Sequence, residues 1–314
     1  MIEIITMKEA IRKFVNDGDI AVISCNPEGA AASACHEIIR QKKRDLTYVS
    51  SGGYLIDMMV GAGCIKRLIS SYIGAEVFGR LYCVERALKE HIPHRLEIED
   101  YSHYTLTLRL MAASWGMPFL PTKSILGTDI LRYLGDKVKV IEDPFKGGKV
   151  LLVPPLHADV GIFHTQCADE EGNVLSWGTG SPSIGGFTPY ACCKKVIVSV
   201  EEIVSSEITR RNPYLTAIPA FYVNALVVEP WGAHPEALTG YYDMDVDMKL
   251  LYGQLSRTIE GFKKFMDEWV YGVENRAEYI NHYIRKYGYE KLMKLRPKTA
   301  LSYPINLGMY VGYP

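Results

Sequence analysis

Three short loops carry residue types suited to a small anionic ligand: Ser24-Cys25-Asn26-Pro27-Glu28-Gly29, Ser50-Ser51-Gly52-Gly53 and Ser71-Tyr72-Ile73-Gly74. Each follows a short apolar run rich in β-branched residues and leads toward the next helical segment. Small and hydroxyl side chains let a ligand approach backbone N–H groups, and a helix N-terminus favours an anion such as a carboxylate. The same residues also simply make turns. His103, in Asp100-Tyr101-Ser102-His103-Tyr104, precedes a helix expected near Thr105. It could donate to a ligand carboxylate or thioester oxygen, or, on spacing alone, cap that helix. Cys25 is a nucleophile if it faces a helix N-terminus, and otherwise a small side chain in a crowded loop.

Other chemistries lack their residues. No Gly-x-Ser-x-Gly elbow is present. The stretch from Gly178 to Pro189 is rich in Gly, Ser, Thr and Pro, but lacks the lysine of a phosphate-binding loop and the spacing of a dinucleotide fingerprint. It reads as a long surface loop. His157, His164, Asp159 and Cys167 do not have zinc-site spacing, and a histidine on a strand is commonly a satisfied core group. No metal and no permanently bound cofactor is expected. Lys plus Arg total 35 against 36 Asp plus Glu, a net charge of -1 with no basic stripe, which makes nucleic acid and anionic membranes poor partners. No apolar run approaches the roughly 18 residues of a membrane span. Met1 to Lys13 is interrupted by Glu3 and Glu9 and lacks the order of a signal peptide, so a soluble, cytoplasmic chain is expected. Seven cysteines without a Cys-x-x-Cys spacing fit reduced core thiols, Cys192-Cys193 being a pair of small buried residues.

The elements that must position the loops are legible from punctuation and period. Thr6-Met7-Lys8-Glu9 has the form of a capping box before a first helix. Strands are expected at Ile20 to Ile23, Leu46 to Val49 and Ile65 to Ser70, with helices at Ala30 to Lys42, Tyr54 to Val60 and Arg80 to Glu90. Leu96 to Glu99 then reads as a short strand and Thr105 to Trp115 as a helix. This alternation argues for a parallel sheet covered by helices. Lys149 to Val153 and Val160 to His164 read as central buried strands, and Asp169 to Asn173 as the turn of a hairpin continuing through Val174 to Trp177. Lys195 to Val200 and Val223 to Val228 are further strands.

Met248, Leu251, Leu255, Ile259, Phe262, Met266 and Trp269 recur at helical spacing and predict one long amphipathic helix. Arg276 to Leu295 predicts another, whose Tyr279, Tyr283 and Tyr287 share a face suited to packing or subunit contact. With 314 residues, 48% of them hydrophobic, the chain is expected to form a single α/β domain over residues 1–314. Its open, mostly parallel sheet is flanked by helices, with residues 248–295 as a helical C-terminal extension.

Ala158-Asp159-Val160 with Ala168-Asp169-Glu170-Glu171-Gly172-Asn173-Val174 resembles the Ala-Asp-Val…Ala-Asp…Gly-Asn segment of the α subunits of family I coenzyme A transferases. Met7-Lys8-Glu9-Ala10-Ile11, Met117-Pro118-Phe119-Leu120-Pro121, Pro230-Trp231-Gly232-Ala233-His234-Pro235, Gly240-Tyr241-Tyr242-Asp243 and Glu268-Trp269-Val270 extend the likeness from about Met7 to the last helix. Among these transferases the chain resembles the α (A) subunits of the glutaconate type. The resemblance implies the CoA-transferase-like scaffold, also found in sugar-phosphate isomerases, though the motif at 158–174 argues against an isomerase. It also implies an active site in a cleft between this chain and a CoA-transferase B (β) subunit, in a hetero-oligomer of A2B2 or larger composition.

In such enzymes a glutamate carboxylate of the B chain attacks an acyl-CoA, an anhydride forms, and CoA returns to give a glutamyl thioester that a second carboxylate relieves of its CoA. The usual Ser-Glu-Asn-Gly segment is absent, and Glu171-Gly172-Asn173 matches it only superficially. By resemblance this chain holds no catalytic nucleophile and supplies acyl-pocket walls and hydrogen-bond donors. The cleft residues implied are Ser24, Cys25 and Asn26, where many relatives have Gly-Gly-Phe, with Gly52, Gly53, Ser71, Tyr72, Gly74, Glu76, Gly127 and Thr128. Glu76 could repel a dicarboxylate or be solvated, the latter being favoured. His103 stands where many transferases carry Gln and certain ring-opening hydrolases Glu. A neutral residue favours transfer of CoA from a small acyl-CoA, dicarboxylic ones being among the candidates. The alternatives are a subunit of an acyl-CoA hydrolase or decarboxylase, or a non-catalytic ligand-binding or scaffolding relative.

Overall fold

The computed structural model describes residues 4–25, 29–49, 52–177 and 189–297, apart from the Glu76 side chain. Its strands are β1 (Ile20–Ile23), β2 (Leu46–Val49), β3 (Ile65–Ser70), β4 (Glu97–Asp100), β5 (Leu120–Thr122), β6 (Lys139–Glu142), β7 (Lys149–Val153), β8 (Ala158–Asp169), β9 (Val174–Leu175), β10 (Cys193–Val204), β11 (Thr216–Ile218) and β12 (Ala225–Val228). The helices are α1 (Met7–Phe14), α2 (Ala32–Arg40), α3 (Tyr54–Gly61), α4 (Tyr82–Lys89), α5 (His103–Ser114), α6 (Asp129–Leu134), α7 (Ser206–Arg211), α8 (Val246–Leu255), α9 (Ile259–Met266), α10 (Arg276–Tyr287) and α11 (Tyr289–Met293).

The expected capping box opens α1, Thr6 Oγ1 accepting from the Glu9 N–H at 3.2 Å while Glu9 accepts from the Thr6 N–H at 3.0 Å. A parallel array then runs β4-β3-β2-β1-β8-β10-β12. Helices cover both faces, so successive strand residues enter different cores. Ala21 and Ile23 pack with α1, α2 and the C-terminal helices, whereas Val22 packs with α5 on the other face. The long β8 carries β10 along one edge and shares its other edge between β1 and the short antiparallel β9. Asp169 fixes the intervening turn, its carboxylate accepting from the N–H groups of Glu171 and Asn173 at 2.9 and 2.8 Å.

Three expectations are corrected. Lys149 to Val153 is a central strand, but of a separate antiparallel sheet ordered β5-β7-β6. Only Leu151 and Val153 are fully buried, because one face of that sheet is open. The single helix expected from Met248 to Trp269 is broken after Leu255. Thr258 caps α9 by accepting from the Gly261 N–H at 3.0 Å, and a wide turn at Asp267–Tyr271 follows. The break preserves the apolar stripe, so the period of the sequence does not reveal it. Gly288, at φ 91°, likewise divides the last expected helix into α10 and α11. The loop expected at 178–188 lies outside the described residues.

Candidate active site

Strands β1, β2 and β3 run parallel, so their following loops gather at one end of the sheet. Ser24 closes the first loop from within: its hydroxyl donates to the Gly29 carbonyl at 3.0 Å and accepts from the His164 N–H at 3.4 Å, leaving it buried. Cys25 is also buried and packs against the second loop. Gly52 has φ 144°, and a Cβ there would lie 2.8 Å from Cys25 Sγ and 3.0 Å from its carbonyl oxygen. Only glycine permits that approach. The Gly52 N–H donates to the Tyr72 carbonyl at 3.1 Å, which ties the second loop to the third. Asn26 to Glu28, Ser50, Ser51 and the Glu76 side chain lie outside the described residues; the Glu76 backbone begins a short turn of helix through Phe78.

At the third loop Ser71 Oγ lies 2.9 Å from His103 Nδ1. The two residues come from different strand-to-helix junctions, and no sequence spacing announces their contact. His103 is the first residue of α5, not its cap. Ser102 takes that role, accepting from the Thr105 N–H at 3.1 Å. Behind it, Glu99 accepts from Tyr101 at 2.6 Å, from Arg109 at 3.3 Å and from Lys137. Burial pushes Glu99 up, but these cationic and hydroxyl donors outweigh it and hold the carboxyl below its ordinary range. The end of β4 is thereby rigid, and His103 is exposed beside it, with its ring nitrogens available to Ser71 or a ligand. Gly127 and Thr128 are exposed on a neighbouring turn, whose Ser124 bonds Ser102 at 2.8 Å. They line neither the groove that begins at Ser71 nor the cleft behind it.

That groove is wide and is bordered by Ser71, Tyr72, Gly74, Arg80 and Leu81. It shares Gly74, Ala75, Arg80 and Leu81 with the narrower, more enclosed cleft, which runs past Cys25 and Gly53. The inner wall of this cleft is not legible in the sequence. Lys249 on α8 places its ammonium 2.8 and 2.9 Å from the two oxygens of Glu236, the side chains being 7% and 5% exposed. Lys249 also lies 4.3 Å from the centre of the Phe78 ring. Beside it Tyr252 donates to Asp57 at 2.7 Å, and burial raises the Asp57 carboxyl above its usual range. Lys249 interrupts an apolar stripe between Met248 and Tyr252; a cation on a buried helix face is the one available signal.

His164 and His234 are structural. His164 is fully buried, bonding Ser199 Oγ at 2.9 Å and Glu201 at 3.1 Å, as a satisfied core group should. His157 is exposed. Among the described residues no group of three His, Cys, Asp or Glu side chains could hold a metal ion, and no helix is long and apolar enough to cross a membrane. The seven cysteines are thiols, six of them buried and Cys193 partly so. Tyr279 and Tyr283 are buried around Trp269, with Tyr287 stacked on its ring, which is packing.

Comparison with known proteins agrees with this architecture. The coenzyme A transferase family model matches residues 4–229. The A subunit of 3-oxoadipate CoA-transferase from Pseudomonas knackmussii is 34% identical over 89% of this chain and 97% of its own length. That of glutaconate CoA-transferase from Acidaminococcus fermentans is 34% identical over 98% of both chains. The crystal structure of the Acidaminococcus fermentans glutaconate enzyme, 33% identical in the superposed chain, matches with a TM-score of 0.83 and covers 94% of this chain and 95% of that one.

Proposed function

The chain belongs to the coenzyme A transferase family, and from that premise we propose that it is the A subunit of a heteromeric CoA-transferase acting on a small acyl-CoA. The observation that carries this reading is the Ser71–His103 pair at the carboxyl ends of the strands, where half-buried Ser71 borders the wide groove and His103 is exposed beside it. Tyr72 and Tyr104, the chain neighbours of Ser71 and His103, are 41% and 59% exposed. Apolar surface next to polar site residues suits a docking partner.

In this reading the partner's glutamate carboxylate attacks the thioester carbonyl, and CoA leaves as the thiolate. The thiolate then attacks the glutamyl carbonyl of the anhydride, releasing the first acyl group as its carboxylate. A second carboxylate repeats the exchange in reverse. His103 and Ser71 donate to the oxygen that gains negative charge at each addition, where fixed donors count most. Cys25, Gly53 and Gly74 form walls against which the acyl chain lies.

The test is intact mass measurement of both chains after incubation of the native complex with acyl-CoA. A CoA-sized adduct on the partner alone is expected. Unmodified chains with accumulating free CoA would replace transfer with hydrolysis.

A further inference from the structure

We propose that the outer edge of β6 pairs with the same edge of a second copy of this chain, so that two β5-β7-β6 sheets join into one across a two-fold axis. The inference goes beyond the transferase reading and does not depend on it. In the order β5-β7-β6, strand β6 has β7 on one side only. All four of its residues, Lys139 to Glu142, are exposed. An unpaired edge is a template for a further strand, which folds ordinarily blunt with proline or cover. The opposite edge of this sheet carries Pro121 on β5, which has no N–H to offer. The outer edge of β12 is met by the chain near Ile4, the Ile5 N–H donating to the Leu226 carbonyl at 3.0 Å. Strand β6 has neither device.

The register follows from hydrogen bonds the strand already makes. The Asp143 N–H donates to the Gly148 carbonyl at 2.7 Å, and Ile141 and Lys139 stand opposite Val150 and Leu152. Backbone groups alternate in direction along a strand, so Asp143, Ile141 and Lys139 turn theirs toward β7 while Val140 and Glu142 turn theirs outward. Two-fold pairing of the outward groups sets Val140 opposite Glu142 of the second copy, each pair exchanging both N–H···O bonds, and sets Ile141 opposite itself. A pairing centred on Val140 would instead need the outward groups of Val138, which is 4% exposed.

This register also matches the side chains. Cross-strand neighbours share a face, so Lys139, Ile141 and Asp143 lie on the open face, opposite to that of the buried Leu151. Ile141, 42% exposed, then meets its own copy, and on either side of it Lys139 stands opposite Asp143 of the second copy. Asp143 commits one oxygen to its own turn, accepting from the Phe145 and Lys146 N–H groups at 2.9 and 3.3 Å. Its other oxygen has no hydrogen bond among the described residues. Lys139, 2.7 Å from Asp136 on an exposed surface, gains a second carboxylate. Such pairs fix the register more than they add affinity. Antiparallel pairing further brings the turn after β6, where Phe145 is 92% exposed, to the end of the second copy's strand that follows α6, where Tyr133 is 88% exposed.

The experiment introduces one cysteine at a time into the full chain within its native assembly. In the paired edge Ile141→Cys sets two thiols at a position where facing Cα atoms are about 4.5 Å apart, within reach of a disulfide. Oxidation by glutathione disulfide should then convert most of the chain to a covalent dimer of itself on a non-reducing gel. Lys139→Cys, whose neighbour in this register is Asp143, should remain single, and of the native thiols six are buried and Cys193 is partly so. No cross-link from Ile141→Cys overturns the proposal, and a cross-link to a different chain assigns the edge to another partner and overturns it equally. Ile141→Lys supplies a second measurement, since it sets two like charges together at the axis and leaves the buried face untouched. Sedimentation should show association between copies weakened at least about tenfold, with the melting temperature of the chain unchanged. Association as tight as in the wild type removes β6 from the contact.

Discussion

His103 follows the carboxyl end of β4 while His164 lies midway along β8, and their surroundings are opposite. His164 is fully buried and bonded through both nitrogens, to Ser199 and Glu201. Glu201 in turn accepts from Tyr242 at 2.7 Å and from the N–H groups of Trp231 and Gly232 at 2.8 and 3.2 Å. Gly232 is required there, since a Cβ would lie 2.4 Å from the His164 ring. Next to this network His234 bonds Tyr279 at 3.0 Å and Asp245 at 3.2 Å. Burial pushes Asp245 up, but bonds from His234, Tyr283 and the Met248 N–H outweigh it and hold the carboxyl at about 2. His103 bonds Ser71 and is exposed. Closed polar networks hold the C-terminal layer on the sheet, whereas the candidate site leaves His103 exposed with a single side-chain partner, Ser71, shown.

Removing Glu201 tests the closed region most severely. Glu201→Ala leaves two buried N–H groups, the Tyr242 hydroxyl and His164 without their acceptor, at a cost of about 3–5 kcal/mol. Urea unfolding should show that loss. A cost below about 1 kcal/mol would mean that the network is not what fastens this layer.

His103→Ala tests the open region and should do the reverse. Turnover by the complex is expected to fall by about a hundredfold, with the melting temperature and assembly of the complex unchanged. Wild-type kinetics would remove His103 from the site; a lowered melting temperature would make it one more structural histidine.

This contrast marks what the sequence could reveal. The strand from Ile65 to Ser70 ends where its apolar run ends, and the Thr6–Glu9 capping box is local, so both were legible. The positions of the loops are legible because parallel strands turn toward their helices at their carboxyl ends. Pairings between distant elements left no local mark: Ser71 with His103, Lys249 with Glu236, and Tyr54 with its unpaired hydroxyl depend on the tertiary packing. Spacing also hid the Thr258 break, because both helices keep the same apolar stripe inward.

Glu229 gives a smaller effect with a defined pH window. It follows β12 in a groove beside Arg40 and Arg276, and burial raises its carboxyl to about 7, partly offset by the two arginines. The folded state therefore holds a proton that the unfolded chain releases near the ordinary carboxyl value, and stability declines as pH rises from about 4.5 to 7. Glu229→Gln should melt about 4 °C above wild type at about pH 8, with the difference closing at about pH 5. A pH-independent difference would place Glu229 in solvent, outside the buried charge pattern.

The mildest change separates the two regions. Thr258 caps α9 on the C-terminal layer, while Lys249, on α8 before the break, reaches the candidate cleft. Thr258→Ala removes one capping bond and should cost about 1 kcal/mol, read as a melting shift of about 2 °C. If the break serves only to keep the apolar stripe inward, α8 stays in place and acyl-CoA turnover is unaltered. Turnover that falls with the melting temperature would instead show that the cap positions Lys249. The closed layer would then set the shape of the cleft, and the division between the two regions would lie between α9 and solvent rather than between α8 and α9.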